Sequence, residues 1–125
     1  MNQMKISIPS DNPGGLEADV SAHFGHCDTF TAVEIEGDQV TKVWNINNDG
    51  EHNCMAPVQK MADAGIDAVL IGGIGRRPLV EFQNHGIRVY VGASGKVNEA
   101  IANFLQDGLR EAVVQDACHG SGHCH

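Results

Sequence analysis

The stretch DAVLIGGIGRRP, residues 67–78, decides the fold. Ala68, Val69, Leu70 and Ile71 follow one another without a polar residue between them. A strand with no polar face is buried on both sides, which is the pattern of a parallel strand covered by helices. Gly72, Gly73 and Gly75 then break it, and Pro78 is expected to open a helix, because the N–H that proline lacks has no intrahelical partner there anyway. Strand, glycine turn and helix together make one half of a βαβ crossover.

Working outward, the same logic repeats. The helix from Pro78 runs through Leu79 and Phe82 and is closed by Gly86. IRVYVG, residues 87–92, is a further strand. KVNEAIANFLQDG, residues 96–108, sets Val97, Ala100, Ile101, Phe104 and Leu105 at helical spacing, with Gly108 as the expected stop. On the other side, Pro57 fits the first turn of a helix with Val58, Met61 and Ala62 on one stripe and Gly65 at its left-handed end. MKISIP, residues 4–9, is a strand, and residues 29–46 form a hairpin turning at Gly37-Asp38. The order is β, β-hairpin, α, β, α, β, α. Right-handed crossovers then predict an α/β fold: a mixed five-stranded sheet with flanking helices. Residues 1–114 make one domain, and residues 115–125 a mobile Cys/His-rich tail.

Eight basic residues against sixteen acidic give a net charge of −8, which argues against nucleic acid and anionic lipid as partners. There is no long apolar run and no apolar leader at the start, so a reducing cytoplasm is expected. Four cysteines in that setting are ligands or thiols sooner than a disulfide framework.

The chemistry-bearing residues fall in four places. HFGHC, residues 23–27, brings together His23, His26 and Cys27, imidazoles and a thiol suited to soft metals. Cys54 stands just before the first helix, where a helix N-terminus favours the thiolate, with His52 two residues earlier. Gly72 to Pro78 reads as an anion cradle: glycines admit close approach, N–H groups at a helix start hold negative charge, and Arg76 and Arg77 add two cations. It is not a dinucleotide fingerprint, since the third glycine and the acidic partner are missing. The tail holds Cys118, His119, His123, Cys124 and His125, five ligands able to take a divalent metal without a fold. No phosphate-loop lysine and no serine elbow is present.

KISIPSD (5–11), VSAHFGHC (20–27), AGIDAVLIGGIGRRP (64–78) and GIRVYVGASGKVNEAIANFLQDG (86–108) resemble, in this order, the dinitrogenase iron–molybdenum cofactor biosynthesis family over about residues 4 to 108. That family includes small nitrogenase-cofactor carriers and orange-protein-like proteins. The resemblance implies a ribonuclease H-like fold with strand order 3-2-1-4-5 and strand 2 antiparallel. It also implies binding and transfer of iron–sulfur, iron–molybdenum or molybdenum–copper sulfide clusters, not turnover. His23 matches the histidine of the family's HFG motif, and Gly72, Gly73 and Gly75 match its glycine turn. His26 and Cys27 belong to a subset, and residues 47–53 depart from the family's glycine- and histidine-rich loop.

The expected function is therefore non-enzymatic: binding, storage or transfer of an anionic metal–sulfur cluster. Its cofactor-binding residues are His23, His26, Cys27, Cys54, Gly73, Gly75, Arg76 and Arg77. Partners are cluster donor or acceptor proteins, and the chain is a monomer or weak homodimer. A regulatory or interaction domain of the same fold without cofactor is the alternative. A metal-dependent nuclease is disfavoured, because the first strand offers no carboxylate for paired magnesium ions and the net charge repels phosphate. Because the soft ligands lie in loops and tail, away from the apolar core, the chain folds without metal. A strong chelator should leave the thermal unfolding midpoint unchanged, and a large drop would show that metal holds the fold together.

Overall fold

A computed structural model of the chain describes residues 3–11, 14–21, 29–47 and 55–112. The elements in order are β1 (Gln3–Ser10), β2 (Thr29–Glu36), β3 (Gln39–Asn47), α1 (Met55–Asp63), β4 (Ala68–Ile71), α2 (Arg76–Asn84), β5 (Arg88–Val91), α3 (Val97–Leu105) and β6 (Arg110–Ala112). They build one six-stranded sheet of order β3-β2-β1-β4-β5-β6. The expected order 3-2-1-4-5 stands, but the sheet has six strands, not five. The sixth is a three-residue strand antiparallel to β5, too short to show a period of two in the sequence.

β4 is the parallel centre. It pairs with β1 through Ile6 and Ala68 and with β5 along its whole length. Its four residues are all buried. Val69 and Ile71 face a core with Phe30, Ala32, Val58, Met61, Leu79 and Phe82, between the sheet and α1 and α2. Ala68 and Leu70 face the second core with Ile6, Ile8, Val33, Val97 and Ile101, under α3. Between Ile6 and Ile8, Ser7 faces the opposite side, level with Ala32 and Val69 of the first core, and its buried hydroxyl has no hydrogen-bond partner among the described residues.

The hairpin turns at Gly37-Asp38 as the sequence predicts, with Glu36 opposite Gln39. α1 and α2 end on left-handed glycines, Gly65 at φ 75° and Gly86 at φ 74°. In each, the next residue reaches back five positions: Ile66 N–H donates to Met61 O (3.0 Å), and Ile87 N–H to Phe82 O (2.8 Å). α3 closes by the same bonds, Asp107 N–H to Phe104 O and Gly108 N–H to Asn103 O. Here the left-handed residue is Asp107, at φ 60°, and not Gly108 as expected. Gly108 serves close approach instead: a Cβ on it would lie 3.0 Å from Asn103 O. α2 starts two residues before Pro78, which occupies its third position; all early helical N–H groups lack intrahelical partners, so proline is tolerated through the first turn.

Each helix has nine residues, and among the described residues none is long and apolar enough to cross a membrane. The domain boundary at residue 114 and the tail beyond it lie outside the described residues.

Asp107 stores backbone strain that a glycine would release. Asp107→Gly should raise stability by about 0.5–1 kcal/mol, a few degrees in midpoint. Thermal unfolding measures it, and a lowered midpoint would show that the aspartate side chain compensates locally.

Candidate anion site at the strand ends

The sheet gathers the chain's exits at one rim. Ser10 ends β1 opposite Thr29, and Thr29 faces Asn47 at the end of β3. β4 and β5 run parallel to β1, so Gly72 and Gly92 leave the sheet at that rim. Val91 pairs with Arg110, which brings the start of β6 there too. In an open α/β sheet the ends of parallel strands are where ligands bind, because helices begin there.

Two of those helix starts contrast. α3 is covered by residues 14–20, which run across it: Val97 N–H donates to Ala18 O (2.9 Å) and Asn98 N–H to Leu16 O (3.0 Å). The Asn98 side chain adds a bond to Glu17 (2.9 Å), Lys96 lies 3.8 Å from Asp19, and the Glu99 carboxylate accepts from Lys96 N–H (2.9 Å). The first-turn donors of α3 are thus taken by the protein itself. Among the described residues, α2 has no such main-chain cover. Gly75 supplies no capping side chain, no acidic residue stands in the first turn, and Arg76 and Arg77 occupy it. Cations at the positive end of a helix work against its macrodipole, at a cost of roughly 0.3–1 kcal/mol each. An anion at that end reverses the sign.

The glycines before α2 are not needed by the backbone. None of Gly72, Gly73 and Gly75 has a positive φ. A Cβ on Gly73 would meet nothing within 4 Å, and on Gly75 only Pro78 Cδ at 4.0 Å. Gly72 is tighter, 3.4 Å from Ala93 O, and its own carbonyl accepts from Gly92 N–H (3.3 Å). Open space beside exposed main chain is what close approach by an external group requires.

Beside this turn lies a cavity of about 260 Å³, lined by Gly72, Gly73, Ile74, Leu79, Val91, Arg110 and Ala112. A second of about 210 Å³ is lined by Arg76, Arg77, Val80 and Glu81. The sequence-predicted residues Gly73, Gly75, Arg76 and Arg77 therefore do share one rim. Arg110 joins them and was missed; its signal was the short run Leu109–Ala112 after Gly108, which carries too few residues to read as a strand. His23, His26, Cys27 and Cys54 lie outside the described residues, as do Cys118, His119, His123, Cys124 and His125. Among the described residues no group of three or more His, Cys, Asp or Glu is placed to hold a metal. The described part of the site is built for charge and hydrogen bonding.

Residues 4–107 match the profile of the family described as dinitrogenase iron-molybdenum cofactor. An uncharacterized protein of Methanocaldococcus jannaschii is 30% identical over 112 residues, 86% of this chain and 91% of that one. The crystal structure of a protein designated PH0822 is 31% identical with a TM-score of 0.75, covering 87% of this chain and 96% of the other. The apo form of the orange protein from Desulfovibrio gigas has the same fold, with a TM-score of 0.78 at 21% identity over 89% of this chain and 94% of that one.

If Gly73 is kept for a ligand and not for folding, Gly73→Ala should leave the unfolding midpoint unchanged or raise stability by about 0.5 kcal/mol. Gly65→Ala, at φ 75°, should lose roughly 1–2 kcal/mol. Equal losses in the two variants would assign Gly73 a structural role.

Proposed function

The chain belongs to the dinitrogenase iron–molybdenum cofactor family, and on that premise we propose that it binds, stores or transfers an anionic metal–sulfur cluster without turning it over. The observation that carries this reading is the unfavourable pairing of Arg76 and Arg77 with the start of α2, next to a glycine turn that the backbone does not require. Both features lower local stability or give up side-chain packing, and both are offset when an anion sits at the helix start.

Within this proposal the cluster is cargo. Its sulfide or oxo atoms accept hydrogen bonds from the main chain of residues 73–77 and from the guanidinium groups. Soft ligands come from the loop that enters β2. In the sequence Cys27 precedes Thr29 by two residues, and His23 follows Ser21 by two. Ser21 is fixed at the rim by its N–H bond to Pro9 O (2.8 Å), and Thr29 by pairing with Ser10. Cys54 precedes α1 by one residue. Few protein–metal bonds and many charge contacts suit a carrier, because the cluster must leave again. Iron–molybdenum, molybdenum–copper and iron–sulfur species all meet this description. The ribonuclease H-like classification, a cytoplasmic setting, cluster donor or acceptor partners, a monomer or weak homodimer and divalent metal binding by the Cys118–His125 tail belong to the same proposal.

Anaerobic isolation from native cells, followed by metal analysis and an absorption spectrum, tests it: a stoichiometric metal–sulfur chromophore is expected, and its consistent absence would favour a regulatory domain. After anaerobic reconstitution, His23→Ala should lose most of the cluster absorbance. Arg77→Gln should weaken retention in a salt-dependent way while leaving the unfolding midpoint equal or higher, since it removes a cation from the wrong end of α2. Full retention in His23→Ala would remove that residue from the site.

A further inference from the structure

The two edges of the sheet differ. β6 is three residues long, and so short an edge offers little to pair with. β3 has nine residues, and among the described residues no strand lies beyond it. Its half next to the hairpin is blunted: Thr41 is the extra residue of a bulge, its hydroxyl donating to Glu34 O (3.2 Å), and Lys42 follows it. The other half, residues 43–47, carries no charge, proline or glycine. Val43, 41% exposed, is the one exposed large apolar side chain among the described residues. Trp44 and Ile46 are half-buried and pack on the first core, so they share one face of the sheet.

This half-strand is complementary to itself. A two-fold axis at Asn45 sets a second copy antiparallel, with Trp44 opposite the partner's Ile46 and Ile46 opposite the partner's Trp44. Aromatic and β-branched residues facing each other across neighbouring strands stabilise the pairing, and the axis supplies two such pairs. The Asn45 side chain lies toward residues 14–20, since a Cβ on Gly14 would fall 2.8 Å from its Oδ1, and the pairing asks only for its main chain. Lys42 is the sole charge on β3 and sits over the Trp44 ring, 5.5 Å from the centroid, so the edge itself is not acidic. We infer that β3 pairs through residues 43–47 with β3 of a second copy of this chain, making one continuous sheet and an isologous contact that closes at two subunits. Five residues a side fall well short of the ~800 Å² per partner of a standard interface, so the dimer is weak and reversible. Both chains carry a net charge of −8 and repel each other, so salt strengthens the pairing. The two β3 strands run in opposite directions, which turns the two glycine rims to opposite ends and leaves both open.

Sedimentation equilibrium of the full chain tests this, with chelator and reductant so that the Cys/His tail adds neither metal bridge nor disulfide. Monomer is expected at about 5 µM and a growing dimer fraction at about 500 µM. Trp44 is the only tryptophan, so its emission should shift to shorter wavelength over the same range. Val43→Lys, at an exposed position, should weaken association roughly ten-fold without lowering the unfolding midpoint. Register is read by oxidative cross-linking in a chain whose four native cysteines are replaced by serine. Asn45→Cys stands opposite itself, where antiparallel strands hold Cα atoms ~4.5–5.5 Å apart, and should form a covalent dimer; Val43→Cys, displaced from the axis, should not. If Asn45→Cys does not fold, the sedimentation series decides. A monomer at every concentration, association weakened by salt, an unaffected Val43→Lys, or a folded Asn45→Cys that does not cross-link would each overturn the inference.

Discussion

The structure depends on burying β4 on both faces. Four residues, Ala68 to Ile71, contribute to both cores and pair in parallel on both sides. Because the next strand, β5, pairs with β4 in parallel, a tight hairpin cannot join them. The chain must leave through a turn and return by a helix, and it does so into α2 and β5. The right hand of that crossover puts α2 over the face carrying Val69 and Ile71. The glycine turn lies where it does because β4 ends there.

The local rules that the rest of the chain obeys fail at that turn. Among the described residues, the C-terminal ends of α1 and α2 close on glycines with reciprocal main-chain bonds, and the start of α3 is covered by residues 14–20. At the start of α2 there are cations where anions are favoured and glycines where the backbone conformation permits any residue. Two such departures side by side at one rim mark a candidate site. Ser7 breaks a rule too, as a single buried hydroxyl inside the sheet.

Much of this was legible in the sequence. An unbroken apolar run is unambiguous, and so are Gly65 and Gly86, because helical periodicity stops at each. β6 was illegible because three residues carry no period and its pairing is decided by tertiary contact with β5. The cover over α3 was illegible for a related reason: Leu16, Glu17 and Ala18 act through main-chain carbonyls, which composition does not record. Asp107 was misread because glycine is the stronger prior for a left-handed residue, and a glycine stood next to it. At the site, Gly73, Gly75, Arg76 and Arg77 could be named from the sequence, since their chemistry is local. Arg110 could not, as it reaches the cavity only through the register of a strand that the pattern did not reveal.

The Gly37-Asp38 turn gains a different significance from its position. Glu36, just before it, pairs with Gln3 at the start of β1, so the turn stands at the rim opposite the one where β1, β4 and β5 end. It is exposed, and a Cβ on Gly37 would touch nothing. Splicing tolerates such loop tips best, since nothing packed must move. A second polypeptide could be inserted there, by recombination or by design, and the composite protein would carry its new module at one pole with the original chemistry undisturbed at the other.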